Sequence, residues 1–124
     1  MTAAEEFALL RECKLGANIE THGKAMAVEL GRVVTVQDLS KELKIPSKQL
    51  TKLIRNGKLA KRMLLNANLQ LVFYIANWYK SRGVAYPDLV QEGALCLIKA
   101  IQTYDPDRGF RLSTYATCWI NQVF

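Results

Sequence analysis

Aromatic and basic residues are densest between Tyr104 and Trp119, where four aromatic side chains alternate with two arginines and small hydroxyl residues. Proteins use this mixture to stack the bases of single-stranded nucleic acid and to neutralise its phosphates. Aromatic residues at helical spacing also occur in protein cores. Tyr115 and Trp119, four residues apart, could equally form a buried ridge on one helix. The residue types alone leave both interpretations open.

A second candidate site is polar and acidic. Asp88, Gln91 and Glu92 fall at positions i, i+3 and i+4, so on a helix they share one face near its N-terminus, where carboxylates suit the helix dipole. Two carboxylates could act as a general acid and a general base. No nucleophile, second base or metal ligand lies near them in the sequence, which favours a solvated or partner-binding face. We therefore expect that the protein is not an enzyme.

The third candidate is a basic segment. Between Lys41 and Arg62 there are eight bases and one acid, Glu42, in a chain of net charge +6. Residues 35–57 also have the apolar spacing of two short helices joined by a turn, so the basic second helix could lie in a major groove of duplex DNA. An ordinary helical hairpin has the same spacing, and the pattern does not decide between them. The charge indicates affinity for polyanions.

Composition excludes several other classes of protein. The 124 residues are 50% hydrophobic and 23% charged, which is typical of a folded chain rather than a disordered one. No apolar run approaches the roughly 18 residues of a membrane span, and no targeting peptide is visible at the acidic N-terminus. Cys13, Cys96 and Cys118 are odd in number and widely spaced, so we expect buried small side chains rather than disulfides or a zinc site. We expect no metal and no cofactor.

Helices must position these residues, because the periodicity and capping signals predict no strand. The predicted helices lie at about 3–15, 17–30, 35–43, 47–57, 58–80, 87–104 and from Ser113 onward, with Thr2, Thr35, Ser47 and Ser113 as N-caps. The predicted fold class is all-α, with an N-terminal part at 1–57 and a second part at 58–124. The sequence ends inside the last helix without a helix stop, which is typical of a C-terminally truncated chain.

Three motifs, Asn66–Val72, Asp88–Gly93 and Arg108–Thr117, occur in the order and spacing of a known family. The run from Lys61 to Phe124 closely resembles the second conserved region of housekeeping-type sigma factors of bacterial and plastid RNA polymerase. Residues 2–58 resemble the conserved region that precedes it, without the long insertion that some members carry. The resemblance implies a multi-helix promoter-binding domain with an N-terminal helical extension that contains the helix-turn-helix-like pair.

The function that the resemblance implies is promoter-specific transcription initiation: binding of RNA polymerase core, followed by recognition and melting of the minus-ten element. In such proteins the face with Asp88, Gln91 and Glu92 docks on the clamp helices of the polymerase's largest subunits. By similarity, Tyr115 stacks on a flipped adenine of the non-template strand, and Asn68 helps to line a site for a flipped thymine. The other residues implied to contact promoter DNA are Tyr104, Arg108, Phe110, Arg111, Ser113, Thr114, Trp119 and Gln122.

The implied location is the bacterial cytoplasm at the nucleoid, or the chloroplast stroma, with no membrane partner. A duplex-binding helix-turn-helix regulator that acts without polymerase is the alternative. Several residues depart from the family pattern. Cys118 stands where a tryptophan usually precedes Trp119, Leu112 replaces an aromatic residue and Asn121 replaces an arginine. These departures predict weaker promoter melting.

Overall fold

The computed structural model describes residues 1–105, 107 and 109–124. Over these residues the chain forms five α-helices and no strand, which confirms the predicted all-α class. The helices are α1 (Ala3–Leu30), α2 (Val36–Leu43), α3 (Ser47–Tyr79), α4 (Tyr86–Thr103) and α5 (Leu112–Val123). In this part of the chain no helix is both long enough and apolar enough to cross a membrane.

Two predicted helix breaks are wrong. The sequence pattern predicts separate helices on either side of Gly16 and of Gly57, but α1 and α3 each run continuously through their glycine. The two glycines face each other where the helices cross: a Cβ added to Gly57 would lie 3.0 Å from the Cα of Gly16. The missing side chains serve close helix packing here, which a single helix's own pattern does not reveal.

Local capping signals account for several helix ends. The hydroxyl of Thr35 accepts from the backbone N–H of Asp38 at 3.2 Å, and the Asp38 carboxylate accepts from the N–H of Thr35 at 2.9 Å. Gly31, with φ of 68°, ends α1 in the left-handed conformation. Pro87 lies in the first turn of α4, as predicted.

Two predicted caps are wrong. Ser47 and Ser113 lie inside the first turns of α3 and α5, and the cap positions are occupied by Pro46 and Arg111, whose side chains make no capping hydrogen bond. At α5 the capping acceptor comes from another helix. A serine near a helix start therefore did not mark the boundary at either site.

The apolar side chains form two clusters. The larger joins the first half of α1 to α3, α4 and α5, and its fully buried members include Leu64, Leu97, Leu112 and Ile120. The smaller contains Ile19, Leu39 and Leu50, where α2 packs against α1 and the start of α3. Helix α3 runs through residue 57 without a break. The division of the chain into parts at 1–57 and 58–124 stays a prediction.

The cysteines differ in exposure. Cys13 and Cys96 are buried, as predicted, and burial raises the pKa of both thiols, which keeps them protonated. Cys118 is exposed on α5, so the expectation of a third buried cysteine is wrong. Its position on the outward face of α5 places it beside the candidate site residues of that helix.

Candidate functional site

Acidic residues are distributed unevenly over the helices. No Asp or Glu occurs between residues 43 and 87 or after residue 107, so α3 and α5 carry none. Five of the eleven acids lie in α1, and Asp88 and Glu92 lie in the first half of α4. A polyanion would therefore meet like charge on α1 and α4 but not on α3 or α5.

Aromatic rings from the end of α4 and from α5 lie side by side. The centroids of the Tyr104 and Tyr115 rings are 5.5 Å apart, and those of Tyr115 and Trp119 are 6.3 Å apart. Tyr104 is buried, Tyr115 and Trp119 are half-buried, and 51% of the Phe110 surface is exposed. A small pocket of about 110 Å³ opens here, lined by Thr103, Tyr104, Asp105, Phe110 and Tyr115.

Hydrogen bonds orient the Tyr115 ring. The hydroxyls of Thr103 and Tyr115 are 2.9 Å apart, and the Thr103 hydroxyl also donates to the backbone carbonyl of Lys99 at 2.9 Å. Because that donation uses the only proton of the Thr103 hydroxyl, the Tyr115 hydroxyl donates to Thr103. Thr103 was not among the predicted site residues. The sequence signal that could have identified it was its position in the last turn of the predicted helix that ends at Tyr104.

The hydroxyl of Tyr104 is buried and has no hydrogen-bond partner among the described residues. Burial raises the pKa of this phenol, and the negative charges of Glu6 and Asp105 add to the effect. Tyr104 therefore stays neutral. It lines the same pocket as Tyr115, as a buried side chain behind the more exposed ring.

The remaining predicted residues of α5 point in different directions. Thr114 and Gln122 are exposed, whereas Ser113 is half-buried and its carbonyl accepts from the hydroxyl of Thr117 at 2.7 Å.

Asn68 lies on α3, half-buried, and its amide donates to the carbonyl of Leu64 at 2.9 Å. Asn68 does not line the pocket at Tyr115. Arg108 lies outside the described residues.

Arg111 is held by the first helix. Its Nε donates to Oε2 of Glu6 at 2.9 Å, and a terminal nitrogen donates to the carbonyl of Met1 at 3.2 Å. The same Glu6 oxygen accepts from the backbone N–H of Leu112 at 3.2 Å, so a buried carboxylate of α1 caps the N-terminus of α5. Sequence reasoning missed Glu6. About half of the Arg111 side chain stays exposed, so this face still presents positive charge.

The three residues of the acidic candidate face lie on the first half of α4. Asp88, Gln91 and Glu92 are all exposed on α4, and none has a side-chain hydrogen bond or ion pair within the described part of the chain. Leu95 lies on the same face and is 57% exposed. An unpaired acidic face around an exposed leucine is typical of a surface that binds another protein.

The structure offers little for catalysis or metal binding at this face. Cys96, one helical turn after Glu92 on α4, is buried, and burial together with the charge of Glu92 raises the pKa of its thiol. A protonated thiol is a poor nucleophile. Over the residues described, no three His, Cys, Asp or Glu side chains lie close enough together to hold a metal ion.

Known proteins show clear similarity to this chain. Residues 64–124 match the family described as Sigma-70 region 2. The chain is 36% identical over 102 residues to the RNA polymerase sigma-B factor of Nostoc sp., an alignment covering 82% of this chain and 31% of that protein. It is 52% identical over 76 residues to the RNA polymerase sigma factor SigA of Bacillus sp., covering 60% of this chain and 20% of that protein.

The alignments cover different lengths of the chain. The match to the Nostoc protein is longer than the segment 64–124, so the similarity extends upstream of residue 64. The chain spans less than a third of the length of either relative.

Proposed function

Because the chain belongs to the sigma-factor family, with residues 64–124 as its region 2, we propose that it binds RNA polymerase core and directs transcription initiation at promoters by capturing the minus-ten element. Its role is to bind and position rather than to catalyse. The compartment is the one that contains bacterial-type polymerase, either the bacterial cytoplasm or the chloroplast stroma.

The separation of charge carries this proposal. One surface, on α5 and the end of α4, combines the neighbouring rings of Tyr104, Tyr115 and Trp119 with the half-exposed Arg111, and α5 itself has no carboxylate. The other, on α4, presents Asp88 and Glu92 around the exposed Leu95. A protein that holds DNA and polymerase at the same time needs two such surfaces, because the acidic face repels phosphate while it can attract a basic protein surface.

At the DNA surface, Tyr115 would stack on an adenine flipped out of the duplex. Extruding a base costs a few kcal/mol, and stacking on an aromatic ring returns about 1–3 kcal/mol. The hydrogen bond to Thr103 fixes the orientation of the Tyr115 ring in advance, so less conformational entropy is lost on binding. The exposed amide of Gln122 suits bidentate contact with an adenine edge in the major groove.

At the polymerase surface, Asp88, Gln91 and Glu92 would contact the clamp helices of the largest subunit. They share one face of a helix whose opposite face, with Leu97 and Ala100, is buried in the larger cluster. The docking face is therefore held rigidly. Its three polar side chains are exposed and make no side-chain hydrogen bond or ion pair, among the described residues, that binding would have to break.

Titration of the labelled chain with purified bacterial RNA polymerase core tests the proposal. We expect saturable binding that is lost in the variant with Asp88, Gln91 and Glu92 replaced by alanine, and weakened in Glu92→Lys. Glu29→Lys is a matched control, because Glu29 is exposed on α1, outside the proposed face. Equal affinity of the parent chain and the triple variant for core would refute the docking role.

The helix-turn-helix-like pair supports the alternative of a duplex-binding regulator. Lys48, Lys52 and Arg55 are exposed on the first turns of α3, next to α2. That hypothesis predicts duplex binding that needs neither polymerase nor Tyr115. Binding of duplex DNA without core, unchanged in Tyr115→Ala, would favour it.

A further inference from the structure

A second aromatic surface lies between the end of α3 and α5. It borders a cleft of about 370 Å³, which is larger than the pocket at Tyr115. Its walls include Tyr74, Trp78, Tyr79 and Arg82 on one side and Thr117 and Asn121 of α5 on the other. None of these six is among the residues assigned above to DNA or polymerase.

The rings of this cleft are unusually exposed. Tyr74 is 64% exposed and Trp78 is 66% exposed, and their centroids lie 6.4 Å apart in an edge-to-face arrangement. Exposing large aromatic side chains to water costs free energy. A patch of such side chains on a protein surface therefore typically marks a binding site. The guanidinium of Arg82 lies 5.2 Å from the centroid of the Tyr79 ring, and the Tyr79 hydroxyl donates to Oδ1 of Asn121 at 3.3 Å.

Charge identifies the chemistry of the occupant. No carboxylate occurs in the sequence that forms either wall, since residues 43–87 and α5 contain no Asp or Glu. Arg82 lines the cleft, and Lys80 is two residues away. Exposed rings beside cations and an amide suit a nucleobase with its phosphate, because the rings stack on the base and the cations neutralise the phosphate.

The cleft and the pocket at Tyr115 lie on opposite flanks of α5. Thr117 follows Tyr115 by two residues and Asn121 follows Trp119 by two, and each step is a rotation of about 200° around the helix. Between the two flanks runs an exposed ridge formed by Thr114, Cys118, Asn121 and Gln122. A DNA fork whose last base pair rests on this ridge would send one strand down each side of α5.

We propose that the cleft beside Trp78 binds an unpaired base of the DNA strand opposite to the strand captured at Tyr115, with Trp78 as the stacking ring and Arg82 at the phosphate. Helix α5 then separates the two strands and holds both. This inference rests on the proposed promoter-binding function, because that function supplies the fork. The cleft is thus a second DNA site, formed by different residues from the pocket at Tyr115 and bound to the other strand.

Fork-junction DNA bound by the whole 124-residue chain tests the proposal. One fork carries an unpaired 2-aminopurine on the minus-ten strand, the other carries it on the opposite strand, and each has an abasic counterpart. We expect Trp78→Ala to weaken binding of the second fork by about tenfold, roughly the contribution of one stacked base. Binding of the first fork and of both abasic forks should not change. Trp78→Phe, which keeps a ring, should restore most of the affinity.

Two controls keep the result specific. Tyr86→Ala removes an exposed aromatic residue that does not line the cleft, and it should leave both forks unaffected. Tyr115→Ala should weaken the first fork and spare the second. Equal affinity of Trp78→Ala and parent for the second fork, with the first fork still selected through Tyr115, would overturn this inference alone. If the parent chain binds neither base better than its abasic counterpart, the proposed function fails as well.

Discussion

The Oε2 atom of Glu6, in the first turn of α1, lies 2.9 Å from Nε of Arg111, the residue that precedes α5. The same oxygen accepts from the backbone N–H of Leu112, so one carboxylate binds both the cation and the first amide of α5. These partners are more than a hundred residues apart in sequence. The contact joins the N-terminal helix to the start of the helix that carries Tyr115.

Glu6→Gln should destabilise the fold by about 1–3 kcal/mol, because hydrogen bonds to a charged acceptor are worth more than those to a neutral amide. The loss should appear as a lower urea midpoint with an unchanged m-value. Glu5→Gln is the matched control, since Glu5 is the neighbouring acid and is exposed. Equal midpoints for Glu6→Gln and Glu5→Gln would contradict a structural role for the buried carboxylate.

Helix ends and helix faces were predictable where the signal is local. The capping pair Thr35 and Asp38, the left-handed Gly31 and the first-turn Pro87 each depend on a few adjacent residues. The shared exposed face of Asp88 and Glu92 follows from helical periodicity in the same way. These features needed no knowledge of the rest of the chain.

Contacts between distant segments were not predictable from one sequence. Gly16 and Gly57 look like helix stops when each helix is considered alone, and only their mutual packing explains why both helices continue. Glu6 has no feature that distinguishes it from Glu5 in the sequence. For the same reason the cleft at Trp78 was missed, because its two walls are about 40 residues apart in the sequence.

Gly57→Ala should lower the stability by about 1–3 kcal/mol, the usual cost of overpacking. A Cβ at this position would meet two backbone atoms, the Cα of Gly16 at 3.0 Å and the carbonyl oxygen of Glu12 at 3.1 Å, and backbone cannot rotate away. This cost opposes a gain of about 1 kcal/mol in helix propensity. Thermal unfolding followed by circular dichroism measures the sign.

Gly23→Ala provides the contrasting control for Gly57→Ala. Gly23 also lies inside α1, but a Cβ there would meet only the tip of the Leu39 side chain at 3.3 Å, which can shift. The propensity gain should then dominate, and stability should stay the same or rise. Loss of stability in both variants to the same extent would argue against the backbone contact as the cause.

Tyr115→Ala should abolish selective capture of the minus-ten strand while sparing polymerase binding, because Tyr115 lies on α5 and the proposed docking face lies on the exposed side of α4. Loss of one stacked base corresponds to about 1–3 kcal/mol. Affinities for single-stranded minus-ten and scrambled oligonucleotides measure the selectivity, and co-elution with core measures docking. The variant's circular dichroism confirms that it is folded.

Tyr115→Phe separates stacking from orientation at this position. It keeps the ring and removes the hydroxyl that donates to Thr103. We expect an affinity between those of the parent and Tyr115→Ala, since the ring can still stack but is less firmly oriented. Identical affinity of Tyr115→Ala and parent for the minus-ten oligonucleotide would remove Tyr115 from the DNA surface.

Asp38→Asn should lower stability in a pH-dependent way. Arg32 donates to the Asp38 carboxylate at 2.8 Å, and this bond, followed by those with Thr35, holds the pKa of the carboxyl well below its ordinary value of 3.8. In the unfolded chain the group titrates near that ordinary value. At any pH between the two values the unfolded chain binds more protons than the folded one, so acid favours unfolding.

The stabilisation from Asp38 is therefore complete above about pH 4 and is lost as the pH falls through the lowered folded pKa. Parent and Asp38→Asn should differ most at neutral pH and converge in strong acid, as measured by urea unfolding across pH. Glu42→Gln, an exposed acid on the same helix, should show no comparable convergence. A difference between parent and Asp38→Asn that is constant from neutral pH to pH 2 would mean that the lost interaction is the shape of the side chain and not its charge.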